Sequence, residues 1–227
     1  MNKKNIIVFD FETSSVDHRI ADIFQIAALA VDGLKLEVIP NSYFNAWMKP
    51  DGFDEPGYYE KFKSTIDWHA KNFNCTPNDF MEKIKNSPPE KLVWEQFTKY
   101  LSNYHDRQNN QSFHSSPIPA GFNIINYDMR ILERFCTKYK NVQKDGSQSL
   151  FYMRDVRDVL HMASLWLSPL NELKGFSMDV LRPYFGLETS GAHEAKKDVE
   201  DITRLLLKFM NMHQLLAKKV TFKGSCA

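Results

Sequence analysis

Three cysteines in 227 residues, Cys75, Cys136 and Cys226, stand far apart with no paired spacing. That scarcity excludes a disulfide framework and a zinc ribbon, and makes a reducing, cytoplasmic compartment the expected home. Long apolar runs are missing as well. The best, Ile23 to Val31, is broken by Gln25 and falls far short of the roughly eighteen residues that a membrane span needs. The opening Met1-Asn2-Lys3-Lys4-Asn5-Ile6 carries no small-residue cleavage site and is expected to be a mature intracellular N-terminus. Net charge is lacking too: 29 Lys and Arg against 28 Asp and Glu leave +1 at pH 7 with histidine neutral. The molecule as a whole therefore has no field to draw in a polyanion, and a nucleic-acid partner would depend on local basic clusters or bound cations. Repeats and linker-like stretches are absent, which predicts one domain over residues 1–216 and a short tail over 217–227.

What is present is an apolar fraction of 43%, that of an ordinary globular core, arranged in two regimes. Residues 5–12, "NIIVFDFE", alternate and are rich in β-branched and aromatic types, as a strand should be. "IFQIAALAVDG" ends on an Asp-Gly turn signal and "LKLEVIPNSYFNAWMKP" resumes strand character, so an antiparallel meander of three strands is expected. From Glu60 to Tyr104 the apolar spacing turns helical. The polar stretch "HDRQNNQSFHSSPIPA" predicts an exposed loop before a short buried strand near Ile118 to Phe122. Helices are then predicted over Ile131–Tyr139, Val156–Leu167, Met178–Phe185 and Ala195–Leu216. The sum is a mixed α/β fold with one central sheet flanked by helices.

Acids sit badly on this scaffold in three places. On a strand, Asp10 and Glu12 share a face while Phe9 and Phe11 point the other way. Two carboxylates side by side repel unless a cation lies between them, and such hard oxygen ligands suit Mg²⁺ or Mn²⁺. The competing reading is an exposed edge strand with a polar solvent face. Asp128, in "AGFNIINYDMRILERF", lies at the start of a helix on the side of Ile131, although the helix dipole alone would favour an acid there. Asp198 lies four residues before Ile202 on the stripe Val199, Ile202, Leu205, Leu206 and Phe209, so it points inward. A buried carboxylate needs a metal, a cationic partner or a raised pKa. His193 precedes that helix in a Ser-Gly loop, where an imidazole could accept a proton near neutral pH. The other six histidines are read as surface residues.

Together these residues resemble the DEDD superfamily of 3′-to-5′ exonucleases, named for four acids in three motifs. Asp10 and Glu12 match the first, Asp128 the second and Asp198 the third; His193-x-x-x-x-Asp198 is similar to the DEDDh branch, the DnaQ-like enzymes. Likeness to the family covers most of residues 5–212, with departures at Ser15, Gln25 and the segment "DWHAKN". The resemblance implies a ribonuclease H-like mixed sheet: a three-stranded antiparallel meander plus parallel strands, between helices. It also implies two divalent cations, Mg²⁺ or Mn²⁺, with Asp10, Glu12 and Asp198 on the first, Asp10 bridging to the second and Asp128 holding the second largely through water. His193 would serve as general base. The implied substrate is nucleic acid with a free 3′ end, single-stranded DNA favoured and RNA possible, and the products are nucleoside 5′-monophosphates. Thr13, Ser14 and Val16 would touch the terminal sugar and base, and Asn123 the sugar or strand. Phe73, Phe122 and Tyr127 are candidate stacking residues. Lys61, Lys63 and Lys71 form the best local basic cluster, or else a solvated helix face.

Two rivals stand beside this reading. "DFET" at a strand end also suits the aspartate nucleophile of haloacid dehalogenase-like phosphatases, which would give His193 and Asp198 no task. A catalytically silent nucleic-acid-binding module on the exonuclease scaffold would keep the acids without turnover.

Overall fold

The alternating stretch at the start of the chain becomes β1 (Ile6–Thr13), and its position decides the site. The computed structural model describes residues 4–106, 115–170, 172–189 and 195–220. β1 pairs antiparallel with β2 (Ile23–Asp32) on one side and parallel with β5 (Ile118–Gly121) on the other. It is a central strand, so the edge-strand reading of Asp10 and Glu12 fails. A short β6 (Arg157–Asp158) extends the sheet parallel to β5.

The third meander strand is not continuous. It is divided into β3 (Glu37–Val38) and β4 (Phe44–Trp47), both antiparallel to the same edge of β2. Pro40 falls in the break, and Ser42 takes over the ladder there: its hydroxyl accepts from the Ala30 N–H at 3.2 Å and donates to the Ala30 carbonyl at 3.3 Å. The helical region expected over Glu60–Tyr104 is three helices, α1 (Tyr58–Asn72), α2 (Pro77–Lys85) and α3 (Glu90–Ser102). Thr76 ends the first gap with a capping box that includes Asp79, and Pro88-Pro89 stops α2 from running into α3. α4 (Asp128–Lys138), α5 (Val159–Leu167), α6 (Met178–Tyr184) and α7 (Ala195–Lys219) follow. Two expectations are corrected here. Residues 157–158 are strand, not helix, because Asp158 caps α5 by accepting the Leu160 N–H. Ser115 and Ser116, at the end of the presumed exposed loop, are buried.

Alternation along β1 sorts its side chains into two cores. Ile7, Phe9 and Phe11 pack with α3 and α4 through Trp94, Phe97, Leu101, Ile131 and Phe135. Ile6 and Val8 pack under α5, α6 and α7 through Val159, Leu181, Val199, Ile202 and Leu206. Asp10 and Glu12 continue the second set. A third cluster joins Phe24 to α1 and α2 through Phe62, Ile66, Phe80 and Ile84. Gly121 allows β5 to approach: a Cβ there would sit 2.9 Å from the Phe9 carbonyl oxygen and 2.8 Å from Ile124 Cδ1.

Candidate active site

The C-terminal end of β1 carries Asp10 and Glu12, and the first turn of α7 brings Asp198 onto them. One carboxylate oxygen from each lies within 4.8 Å of the other two. Charges at such a separation repel by roughly 3 to 4 kcal/mol per pair at an effective dielectric near 20. Burial and the neighbouring Asp198 push Asp10 up to about 7, against a smaller downward pull from Arg182. Burial, then Asp10, Asp198 and Asp128, hold Glu12 well above the ordinary carboxylate range. Asp128 enters from the opposite layer as the first residue of α4. Its Oδ1 accepts the Phe11 N–H at 3.1 Å, which seats it against the β1 backbone between Asp10 and Glu12. Burial and Asp10 raise it as well. Three hard carboxylate oxygens whose charge is incompletely balanced suit one divalent cation, and Asp128 stands beside them with its second oxygen available for another.

The sequence-predicted acids are thus brought together, from β1, α4 and α7. His193 lies outside the described residues. Of the expected substrate contacts, Thr13, Val16 and Asn123 line a cleft of about 580 Å³ with Phe11, Glu12, Ser64, Thr65, Trp68 and Tyr127. Val16 stands at its lip, 88% exposed. Asn123 holds a left-handed backbone (φ 54°). Ser14 is the exception: fully buried, its hydroxyl accepts the Asp22 N–H at 2.9 Å, so it braces the loop after β1 from within rather than facing a ligand. Tyr127 borders the cleft, but its hydroxyl lies 2.5 Å from Thr13 Oγ1 and donates to the Ser15 carbonyl, stapling the same loop. Phe73 packs in T-shaped contact with Trp47, and Phe122 against the second core, so both serve packing. Lys61, Lys63 and Lys71 are exposed on α1, where Lys63 pairs with Asp67 at 2.6 Å, as on a solvated helix face.

Four residues escaped the sequence reading. His69, taken for a surface histidine, is buried beside Glu12. Its Nε2 lies 2.8 Å from the Thr13 carbonyl, which can only accept, so Nε2 carries the proton; Nδ1 lies 3.6 Å from Glu12 Oε2. A signal existed: His69 falls on the apolar stripe Phe62, Ile66, Phe73 of α1. Asp158 is buried and accepts the N–H groups of Asn123 at 3.0 Å, Ile125 at 3.2 Å and Leu160 at 3.0 Å, fixing the loop that leads into Asp128. Asp201, one turn beyond Asp198, shares the buried face of α7 and was legible from its spacing to Leu205. Arg182 on α6 is buried and reaches Asp198 Oδ1 with Nη2 at 2.5 Å and Asp201 Oδ2 with Nε at 3.0 Å. No local pattern in a seven-residue helix announces a buried arginine.

No protein-family model matches the sequence, and no curated protein is significantly similar to it. The three-dimensional comparison is different. Cell-death related nuclease 4 (CRN-4) superposes with a TM-score of 0.62 at 16% identity, over 93% of this chain and 65% of that one. Escherichia coli exonuclease I in complex with a dT13 oligonucleotide gives 0.65 at 17% identity, over 95% and 43%. Exonuclease I from Methylocaldum szegediense gives 0.64 at 17% identity, over 93% and 42%. The chain spans just under two thirds of the first and less than half of the exonucleases I. Likeness at this identity speaks for architecture rather than reaction. The chain shares the fold of CRN-4 and exonuclease I, with an acidic cluster at the end of its central strand.

Proposed function

We propose that this protein is a metal-dependent 3′–5′ exonuclease that hydrolyses nucleic acid from a free 3′ end, with single-stranded DNA as the favoured substrate and RNA as a second. The observation that carries the reading is the convergence of Asp10, Glu12 and Asp198 within 4.8 Å of one another, with Glu12 also lining a cleft of about 580 Å³. Support also comes from fold relatives: exonuclease I has been seen with single-stranded oligonucleotides, and in a zinc-bound form of its complex. The phosphatase alternative leaves Asp198 without a role, although that residue completes the cluster.

Asp10, Glu12 and Asp198 would hold one divalent ion and Asp128 would share a second, Mg²⁺ or Mn²⁺ in either case. When bound, such ions supply Lewis-acid stabilisation of the attacking and leaving oxygens of an in-line phosphodiester displacement. The chain's own groups do the rest. Thr13 and Asn123 line the wall where a terminal nucleoside rests, and exposed Val16 and Trp68 offer apolar surfaces to its base. His193, five residues before Asp198, would take the proton from the attacking water. His69 fixes the turn after Glu12 through the Thr13 carbonyl. A reducing, cytoplasmic setting suits the free thiols of Cys75 and Cys136.

The test is digestion of 5′-labelled DNA and RNA oligonucleotides, with free or blocked 3′ ends, in Mg²⁺ or Mn²⁺. A ladder shortening from the 3′ end with release of 5′-monophosphates is expected. Equal digestion of blocked and free ends, or no digestion with either metal, would remove the proposal.

A further inference from the structure

The arginine on α6 has no place in the reaction just described, and its surroundings say what it does. Arg182 is 1% exposed, and a buried guanidinium persists only where carboxylates face it. One leg of its fork, Nε, meets Asp201, which is itself fully buried; the other, Nη2, meets Asp198 Oδ1 at 2.5 Å. Asp179 Oδ1 lies farther off, at 3.6 Å from Nη1, on an exposed side chain. Asp201 is already well matched without Arg182, since Lys197 Nζ stands 3.1 Å and Arg204 Nη1 3.7 Å from its Oδ1. On the other side carboxylate faces carboxylate, where Asp198 meets Asp10 and Glu12. Asp201 is the anchor, and Asp198 is the residue served.

Resting on the exonuclease reading, we propose that Arg182 is a positioning residue and a resident counter-cation of the acid cluster: anchored on Asp201, it occupies Asp198 Oδ1, sets the orientation of that carboxylate beside Asp10 and Glu12, and restrains the affinity of that cluster for a divalent ion. A cation in hydrogen-bond contact with a metal ligand opposes metal binding through charge while supporting it through orientation. Affinity and turnover should then move in opposite senses when it is lost, which a residue that only joins α6 to α7 would not produce.

The test pairs two substitutions on the full chain. Mn²⁺ affinity is measured by calorimetry, thermal stability with chelator and with saturating Mn²⁺, and kcat on a 3′-hydroxyl oligonucleotide. Arg182→Gln is expected to bind Mn²⁺ roughly tenfold more tightly, to gain a larger Mn²⁺-induced rise in Tm than wild type, and to lose about 10- to 100-fold in kcat. Asp201→Asn leaves the full guanidinium charge to Asp198 and is expected to weaken Mn²⁺ binding. Should Arg182→Gln fail to fold, Arg182→Lys, which keeps charge without the fork, should hold Mn²⁺ affinity near wild type while kcat falls. Shifts of the same sign for Arg182→Gln and Asp201→Asn, or a Tm lowered equally with and without Mn²⁺, would overturn the proposal. Wild type that takes up no Mn²⁺ at all would instead overturn the metal-dependent reading on which it rests.

Discussion

Two buried carboxylate sites in this sheet, with β5 between their strands, are solved in opposite ways. At the end of β6, Asp158 receives three backbone N–H groups, from Asn123, Ile125 and Leu160. At the end of β1, Asp10, Glu12 and Asp198 face one another within 4.8 Å. An acid surrounded by amide donors is a structural device that holds a loop and starts a helix. Acids surrounded by acids keep their pKa values high and are stable as anions only with cations at hand. The difference separates scaffold from chemistry although each site is built on an aspartate of a sheet strand.

Substitution breaks this contrast most sharply. Asp10→Ala should abolish Mn²⁺ binding and lower nuclease activity by more than the 10- to 100-fold typical of outer-shell changes, while the metal-free Tm stays level or rises, because a repulsive charge is gone. Asp158→Ala should do the reverse. It strands three N–H groups and is expected to cost about 2 kcal/mol, or roughly 4 to 8 °C in Tm, with Mn²⁺ still bound. Calorimetry and thermal melts on both variants check this, and loss of metal binding in Asp158→Ala would erase the distinction.

His69→Gln lies between the two. It removes an imidazole that donates to the Thr13 carbonyl and faces Glu12, so a 10- to 100-fold drop in activity with a modest weakening of Mn²⁺ binding is expected. Unchanged kinetics would reduce His69 to packing against Phe80, on which its ring is stacked.

The smallest effect is in pH. Asp10 is raised to about 7 in the fold against about 3.9 in an unfolded chain. Glu12 and Asp128 are raised in the same direction. A raised acid favours the folded state fully below its unfolded pKa, and that contribution is lost as pH climbs through the folded value. Chelator-treated protein should therefore melt several degrees lower at pH 8 than at pH 5, and Mn²⁺ should flatten or reverse that slope. A metal-free Tm that rises over this window would show that the cluster is already balanced by other charges.

The sequence by itself determined the first strand, the two-residue periodicity that puts Asp10 and Glu12 on one face, and the helical spacing that turns Asp198 inward. All three follow from local repeat, and local repeat is written along the chain. It also placed Asp128 at the head of its helix. Tertiary structure alone decided that β1 is central and not an edge, that Ser14 braces a loop from inside, and that His69 stands beside Glu12. It decided, too, that Arg182 ties Asp198 to Asp201. Those facts depend on which elements meet across the sheet, and the charge a buried group feels is set by neighbours 16 or 50 or more residues away, a distance over which no periodicity carries information.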